Sequence, residues 1–491
     1  MTRDVLCLAG GALLAGALLL VGGRSLSFDE LFAAHAASLP IRDLLRFTYL
    51  HDAHPPLYYL LLRAWISLFG SGEVVLRALS ALAGLGTVGA VARLGAEISP
   101  GAGQAAALWL FGSPLFLYAS VEATRYALLV ALFALAALAV WRMTSDPGRR
   151  PWILGVLLGA LLYTHYLGAV FCAALGGFVL RCGSPQARLR FFLASALAGL
   201  AFLPWLPVLW HHVLDGRINP PWRGPLPATL PLQILHLVGF GGRAFGSASP
   251  YLHPTADLTT QLLLALPVVG AIWLGGSAVV RGDRRLGALL GWCVGLPAAV
   301  LLGVSLWTRS LVAYPRYFVF ALPFWAVAAG AAVAELGRAP ARRRAAGAVA
   351  FGILFVLSLA SLAAFAASPT AGTGDRKSMG AYLRAHVRAD DAVVVFPSWE
   401  RLGLAYYAPG VRAEWAFLGT RRDAPDPGEV RMGMTALAAR RKRIWVLEEP
   451  PMPPGLFDAT YRWLARTHRV RDHREFGGVR VTLFVRGEGG R

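Results

Sequence analysis

Long apolar runs alternate with short arginine-bearing connections through most of the chain, and the alternation stops near Phe365. A helix that crosses a bilayer needs about 20 mostly apolar residues. Eleven segments read as spans, near residues 5–22, 72–94, 102–119, 124–142, 151–165, 167–181, 190–210, 258–280, 286–307, 316–336 and 344–366. The members of the pair 151–165 and 167–181 are short, and a single tilted helix interrupted at Thr164-His165-Tyr166 would reduce the count by one. Charge decides between the two, because positive residues in short loops stay on the cytoplasmic side. With eleven spans and the N-terminus inside, thirteen arginines fall in four cytoplasmic connections, within 142–150, 181–190, 281–285 and 338–344. The short loops of the opposite side hold Arg125, Arg309 and Arg316 near their ends. One span fewer would put half of the basic loops on the wrong side, so eleven is the expectation.

Two long polar connections interrupt the spans, and both fall outside under this topology. In the first, residues 23–71, the stretch Leu31 to Tyr49 reads as one amphipathic helix lying on the bilayer surface. The second, residues 211–257, is rich in Pro, Gly and aromatics and reads as a lid or substrate-covering loop. Residues 369–491 are polar and mixed in pattern. Helices are expected at Arg376–Val387 and Met434–Arg443, and strands at 392–396, 444–447 and 477–485. Alternating helix and strand predicts a small α/β domain. The expected fold is thus a polytopic α-helical membrane protein, residues 1–368, with an extracytoplasmic α/β domain at residues 369–491.

Composition narrows the class. With 491 residues, 56% hydrophobic content and a mean hydropathy of +0.54, the chain is too apolar for an ordinary soluble enzyme. The net charge of +20 follows from the basic loops, so it reads as topology and not as nucleic-acid affinity. Cys7, Cys172, Cys182 and Cys293 all fall in or beside spans, so no disulfide framework is indicated. The first apolar run ends at Val21-Gly22-Gly23-Arg24-Ser25 without a convincing small-x-small cleavage site, and is read as a retained span.

Ionisable side chains gather on the outer side. They are Asp29, Glu30, His51 and His54 in the first loop, then Glu122 and Arg125, His165 with Tyr166, and Arg316 with Tyr317. The cytoplasmic side offers arginines and almost nothing else. Ionisable groups at membrane depth are costly and usually functional. Each also has a plainer reading. Asp29 could cap a helix, Glu122 and Arg125 could pair with each other, His165 could be an interfacial histidine, and Arg316 could be a snorkelling anchor. Asp29, Glu30, His51 and His54 could hold a divalent cation such as Mg or Mn.

The Asp29-Glu30 pair after the first span, followed by His54-Pro55-Pro56-Leu57, resembles the first external loop of GT-C membrane glycosyltransferases. Protein O-mannosyltransferases and lipid A aminoarabinose transferases are the nearest families, and the latter usually carry Lys in place of His54. Glu122-Ala123-Thr124-Arg125-Tyr126, Thr164-His165-Tyr166 and Pro315-Arg316-Tyr317 look like further elements of bacterial members. The resemblance covers roughly residues 5–366, with a looser similarity in the tail. It implies a polyprenyl-phosphate-linked sugar donor and a glycan, lipid or protein acceptor among the membrane lipids. It also implies Asp29 as general base with Glu30 beside it, and donor-phosphate binding by His54, Arg125 and Arg316. His51, Tyr58, Glu122, His165, Tyr166 and Tyr317 would contact substrate. A transporter of a lipid-linked or anionic substrate is the rival reading. Transporters, however, tend to place such groups near mid-membrane in repeated halves, and no internal repeat is visible here.

Overall fold

The computed structural model describes residues 16, 23–146, 151–216, 227–241, 257–309, 315–337, 339–367, 374–419, 426–449 and 458–487. The expected first span, 5–22, lies outside them apart from Gly16. The chain divides into two compact units: residues 1–22 with 36–368, and residues 23–35 with 369–491.

The first long connection, residues 23–71, folds as three helices: α1 (Phe28–Ser38), α2 (Ile41–His51) and α3 (Leu57–Phe69). The single amphipathic helix expected over Leu31–Tyr49 is therefore two. Pro40 is the cause: a residue before proline is pushed out of the helical region, so the chain turns at Leu39 and restarts at Ile41. The helices α4 (Glu73–Ala96), α5 (Pro100–Phe111), α6 (Pro114–Val121) and α7 (Arg125–Ser145) follow. The expected span 102–119 is the bent pair α5 and α6, which meet at 68°. Ser113 accepts from the Phe116 amide at 3.5 Å and Pro114 opens the second helix, so the break is built from cap residues.

The short pair resolves as two helices, α8 (Pro151–Thr164) and α9 (Leu167–Cys182), separated at His165 and Tyr166. Next come α10 (Pro185–Phe202), continued through a 3₁₀ turn into α11 (Leu206–Leu214), and then α12 (Leu230–Phe240). The last of these lies within the connection 211–257, part of which is thus an apolar helix with Leu230, His236, Leu237 and Phe240 buried. The Asn219–Trp222 and Ser249–Tyr251 motifs of that connection lie outside the described residues. The unit closes with α13 (Leu258–Gly282), α14 (Arg284–Thr308), a 3₁₀ segment (Pro315–Ala321), α15 (Leu322–Leu336) and α16 (Ala341–Ala366).

Among the described residues seven helices are long and apolar enough to cross a membrane, or eight if the bent pair is one span. Helices α3, α8, α9 and α12 are apolar but shorter. The two most enclosed spans are Arg125–Ser145 and Arg316–Leu336, with 72% and 83% of their apolar windows buried. Against this, Pro185–Leu214 and Arg344–Phe365 are 22% buried. Their exposed leucines and aromatics, Phe192, Leu200, Trp210 and Phe355 among them, suit a surface solvated by lipid chains.

In the second unit, α17 (Arg376–His386), β1 (Ala392–Phe396), α18 (Glu400–Tyr407), β2 (Glu414–Phe417), α19 (Pro427–Arg440), β3 (Arg443–Glu448), α20 (Trp463–Thr467), β4 (His468–Phe476) and β5 (Val479–Arg486) build one sheet. Its order is β2-β1-β3-β5-β4. Strands β2, β1 and β3 run parallel, and β5 pairs antiparallel with both β3 and β4. Every residue of β1 is buried, as expected of a strand covered on both faces. Residues 23–35 belong here through main-chain bonds. The Leu26 amide donates to the Tyr407 hydroxyl at 2.7 Å, and the Lys377 amide donates to Ser25 Oγ at 3.0 Å.

Candidate active site

Within the helical unit, the turn between α2 and α3 carries a buried carboxylate that sequence reasoning left without a role. Asp52 Oδ1 accepts from His54 Nδ1 at 2.8 Å and from the Ala53 amide at 2.7 Å. Its Oδ2 accepts from the Tyr59 hydroxyl at 2.5 Å, and Tyr59 in turn accepts from Arg125 Nη1 at 3.2 Å. Pro55 and Pro56 end one helix and start the next, so Tyr59 sits on the first turn of α3 and faces back toward Asp52. Burial alone would raise the Asp52 pKa. The charges of His54 and Arg125 and the bonds from His54 and Tyr59 outweigh it, and hold the carboxyl well below the usual range. Asp52 is therefore an anion. Its pairing contributes stability above the unfolded-state pKa of about 3.9, and that contribution drains away as the pH falls below it.

Arg125 opens α7, where the helix dipole disfavours a cation. Asp52, acting through Tyr59, offsets that. The Arg125 guanidinium lies 5.3 Å from the Tyr126 ring centroid, and the Arg316 guanidinium lies 5.8 Å from the same ring. Two cations thus flank one aromatic ring at the starts of the two most enclosed spans. Around them, His165 stands 4.7 Å from His54, 6.2 Å from Tyr126 and 6.0 Å from Tyr317, centroid to centroid. His165 Nδ1 accepts from the Leu167 amide at 3.1 Å, which fixes the ring at the start of α9.

His54, Arg125, His165, Arg316 and Tyr317 are accordingly brought together with Asp52, Tyr59 and Tyr126. Glu122 ends α6 with its carboxylate 3.4 Å from the Tyr118 hydroxyl and 3.5 Å from that of Thr124. Tyr58 is buried, with its hydroxyl bonded to Ser80 Oγ at 3.0 Å, which ties α3 to α4. Tyr166 bonds to His212 Nδ1 at 2.8 Å and to Trp205 Nε1 at 3.2 Å, so it fastens α9 to α11. His51 is exposed at the end of α2, its ring 5.1 Å from Phe47.

Asp29 and Glu30 open α1 in the other unit. Glu30 Oε2 accepts from the Ser27 amide at 2.8 Å, and Ser27 Oγ accepts from the Glu30 amide at 3.3 Å. This is a reciprocal capping box. Capping therefore falls to Ser27 and Glu30, and the half-buried Asp29 is not needed for it. The Ser-x-x-Glu spacing was readable in the sequence and is the signal that would have separated the two carboxylates. Among the described residues no three His, Cys, Asp or Glu side chains gather so as to hold a metal ion.

Comparison of whole folds places the chain with a solved structure of the same architecture. It is similar to ArnT from Cupriavidus metallidurans in the apo state, with a TM-score of 0.64 and 14% identity over 98% of this chain and 97% of that one. The same protein bound to undecaprenyl phosphate gives a TM-score of 0.60 and 14% identity over 98% of both chains. Residues 53–211 match the family described as dolichyl-phosphate-mannose-protein mannosyltransferase. No curated protein matches the sequence. The structural likeness bears out the expected fold class, while the expected eleven spans are not confirmed: among the described residues seven helices, or eight with the bent pair, are long enough.

Proposed function

We propose that this protein moves a sugar from a polyprenyl-phosphate donor to an acceptor hydroxyl, with inversion at the anomeric carbon. The reaction takes place at the outer face of the cytoplasmic membrane, with the N-terminus inside and the tail unit outside. The observation that carries the reading is the pair of guanidinium groups, Arg125 and Arg316, on the one ring of Tyr126. A likeness over the full chain to a protein that holds undecaprenyl phosphate supports it. Arginine's planar fork suits a phosphate, and its charge persists at any working pH.

The chemistry follows from the leaving group. The acceptor oxygen attacks the anomeric carbon, the bond from that carbon to the phosphate oxygen breaks, and its electron pair stays on polyprenyl phosphate. Phosphate already leaves well, so it needs cations more than an acid, in contrast to glycoside hydrolysis with its second carboxyl. Arg125, Arg316 and His54 stabilise the developing charge, and Asp29 takes the acceptor's proton.

A panel of radiolabelled polyprenyl-phosphate sugars, offered to the purified protein in nanodiscs with candidate acceptors, tests the proposal. Label leaving one of the lipids is the expected result. If every donor keeps its label and the protein binds no polyprenyl phosphate, the reading is wrong.

A further inference from the structure

We infer that Asp52 is a positioning residue for the donor phosphate, setting Arg125 through Tyr59 and His54 directly. The inference rests on the transferase reading and adds a residue to it.

The two oxygens of Asp52 serve different arms. Oδ1 takes the protons of His54 Nδ1 and the Ala53 amide, at 2.8 and 2.7 Å. That assignment turns Nε2 of the imidazole away from Asp52, on the ring whose neighbour is His165 at 4.7 Å. Oδ2 takes the Tyr59 hydroxyl proton at 2.5 Å, so the lone pairs of Tyr59 are left to accept from Arg125 Nη1 at 3.2 Å. The direction of donation is fixed along the whole chain: guanidinium to phenol, phenol to carboxylate. A guanidinium cannot accept, and an ionised carboxylate cannot donate. One nitrogen of Arg125 is thus occupied and the plane of its fork is held beside the Tyr126 face, at 5.3 Å. Asp52 and Tyr59 are both buried, and neither presents a free polar atom of its own to a substrate. Their effect on a ligand has to pass through Arg125 and His54.

Two substitutions separate the arms. Asp52→Asn keeps the shape but replaces one acceptor by an amide donor. Tyr59 must then accept where it donated, and the negative charge behind Arg125 is gone. Tyr59→Phe cuts only the arm to Arg125 and leaves His54 on Asp52. Binding of undecaprenyl phosphate by the full-length protein in nanodiscs is the readout, with the melting temperature of the lipid-free protein measured alongside.

Losing a hydrogen bond to a charged group corresponds to roughly 10- to 100-fold in affinity. Asp52→Asn is expected to weaken binding by about that much, and Tyr59→Phe by less. In an Arg125→Ala background, the Tyr59→Phe effect should vanish and the Asp52→Asn effect should shrink to the His54 arm, because residues acting through one another are not additive. A full, undiminished effect of both substitutions in that background would overturn the inference. So would unchanged affinity in two folded single variants. Wild-type protein that binds no undecaprenyl phosphate would instead refute the transferase reading, and the inference with it.

Discussion

Asp29 and Glu30 are neighbours in sequence and yet are expected to respond differently to the same kind of change. Asp29→Asn leaves the capping box of Ser27 and Glu30 intact, so α1 should form normally while the group proposed to take the acceptor proton is lost. General base catalysis contributes about 100- to 10,000-fold. Turnover should therefore drop at least a hundredfold with donor binding kept, and near wild-type transfer would remove Asp29 from the mechanism. Glu30→Gln retains an acceptor for the Ser27 amide and should be mild in both assays, whereas Ser27→Ala should cost about 1 kcal/mol of local stability, read by hydrogen exchange in α1. At the other cluster, Arg125→Ala and Arg316→Ala should each weaken undecaprenyl-phosphate binding at least tenfold, and Lys at either position should restore it only in part, since charge returns without the bidentate fork. Equal affinity in all four variants would make these arginines anchors of the fold. Single residues were legible from the sequence where charge stood out at a span end, as with Arg125 and Arg316. Asp52 was not, because its role depends on Tyr59 and Arg125 arriving from two other helices.

At the scale of elements, the enclosed spans pack backbone to backbone. A Cβ on Gly103 of α5 would stand 2.3 Å from the Ala92 carbonyl of α4, and one on Gly330 of α15 would stand 2.3 Å from the Ala102 carbonyl. Small residues permit such approaches between membrane helices, where close packing carries much of the association. Gly330→Val should therefore destabilise the helical unit by about 1–3 kcal/mol, an overpacking cost, measured as a lower melting temperature in detergent. An unchanged melting temperature would mean that the α5–α15 contact yields easily. Long apolar spans announced themselves, as did α17, β1, β3 and β5, where propensity and burial agree. Three kinds of element did not. Helices α3 and α12 are too short for the span criterion. Pro40 divides what amphipathic periodicity joined. The edge strand β4, His468–Phe476, is charged and largely exposed, so it shows no alternation to read.

For the molecule as a whole, the proposed orientation, N-terminus in the cytoplasm and tail unit outside, rests on the thirteen clustered arginines. A reporter that works only in the cytoplasm, fused after Arg491, should stay silent. Activity there would reverse the proposed orientation and remove the outer placement of Asp29. The fold class was readable because hydropathy and charge act along the whole chain. The division into units was not, because the alliance of residues 23–35 with 369–491 is made by long-range bonds that leave no periodic trace.

That alliance has a consequence in time. Leu26 leaves the ribosome 381 residues before Tyr407, whose hydroxyl receives its amide proton. At about 5–20 residues per second, the gap is roughly 20 to 80 seconds. Throughout that interval Arg24 to Ser27 wait without the domain that will cover them, while the helices between are being threaded into the bilayer. A chain that stops short of the tail can insert every span and still never organise the start of α1. A part of the protein born much later therefore decides when α1, which carries the proposed base Asp29, is organised.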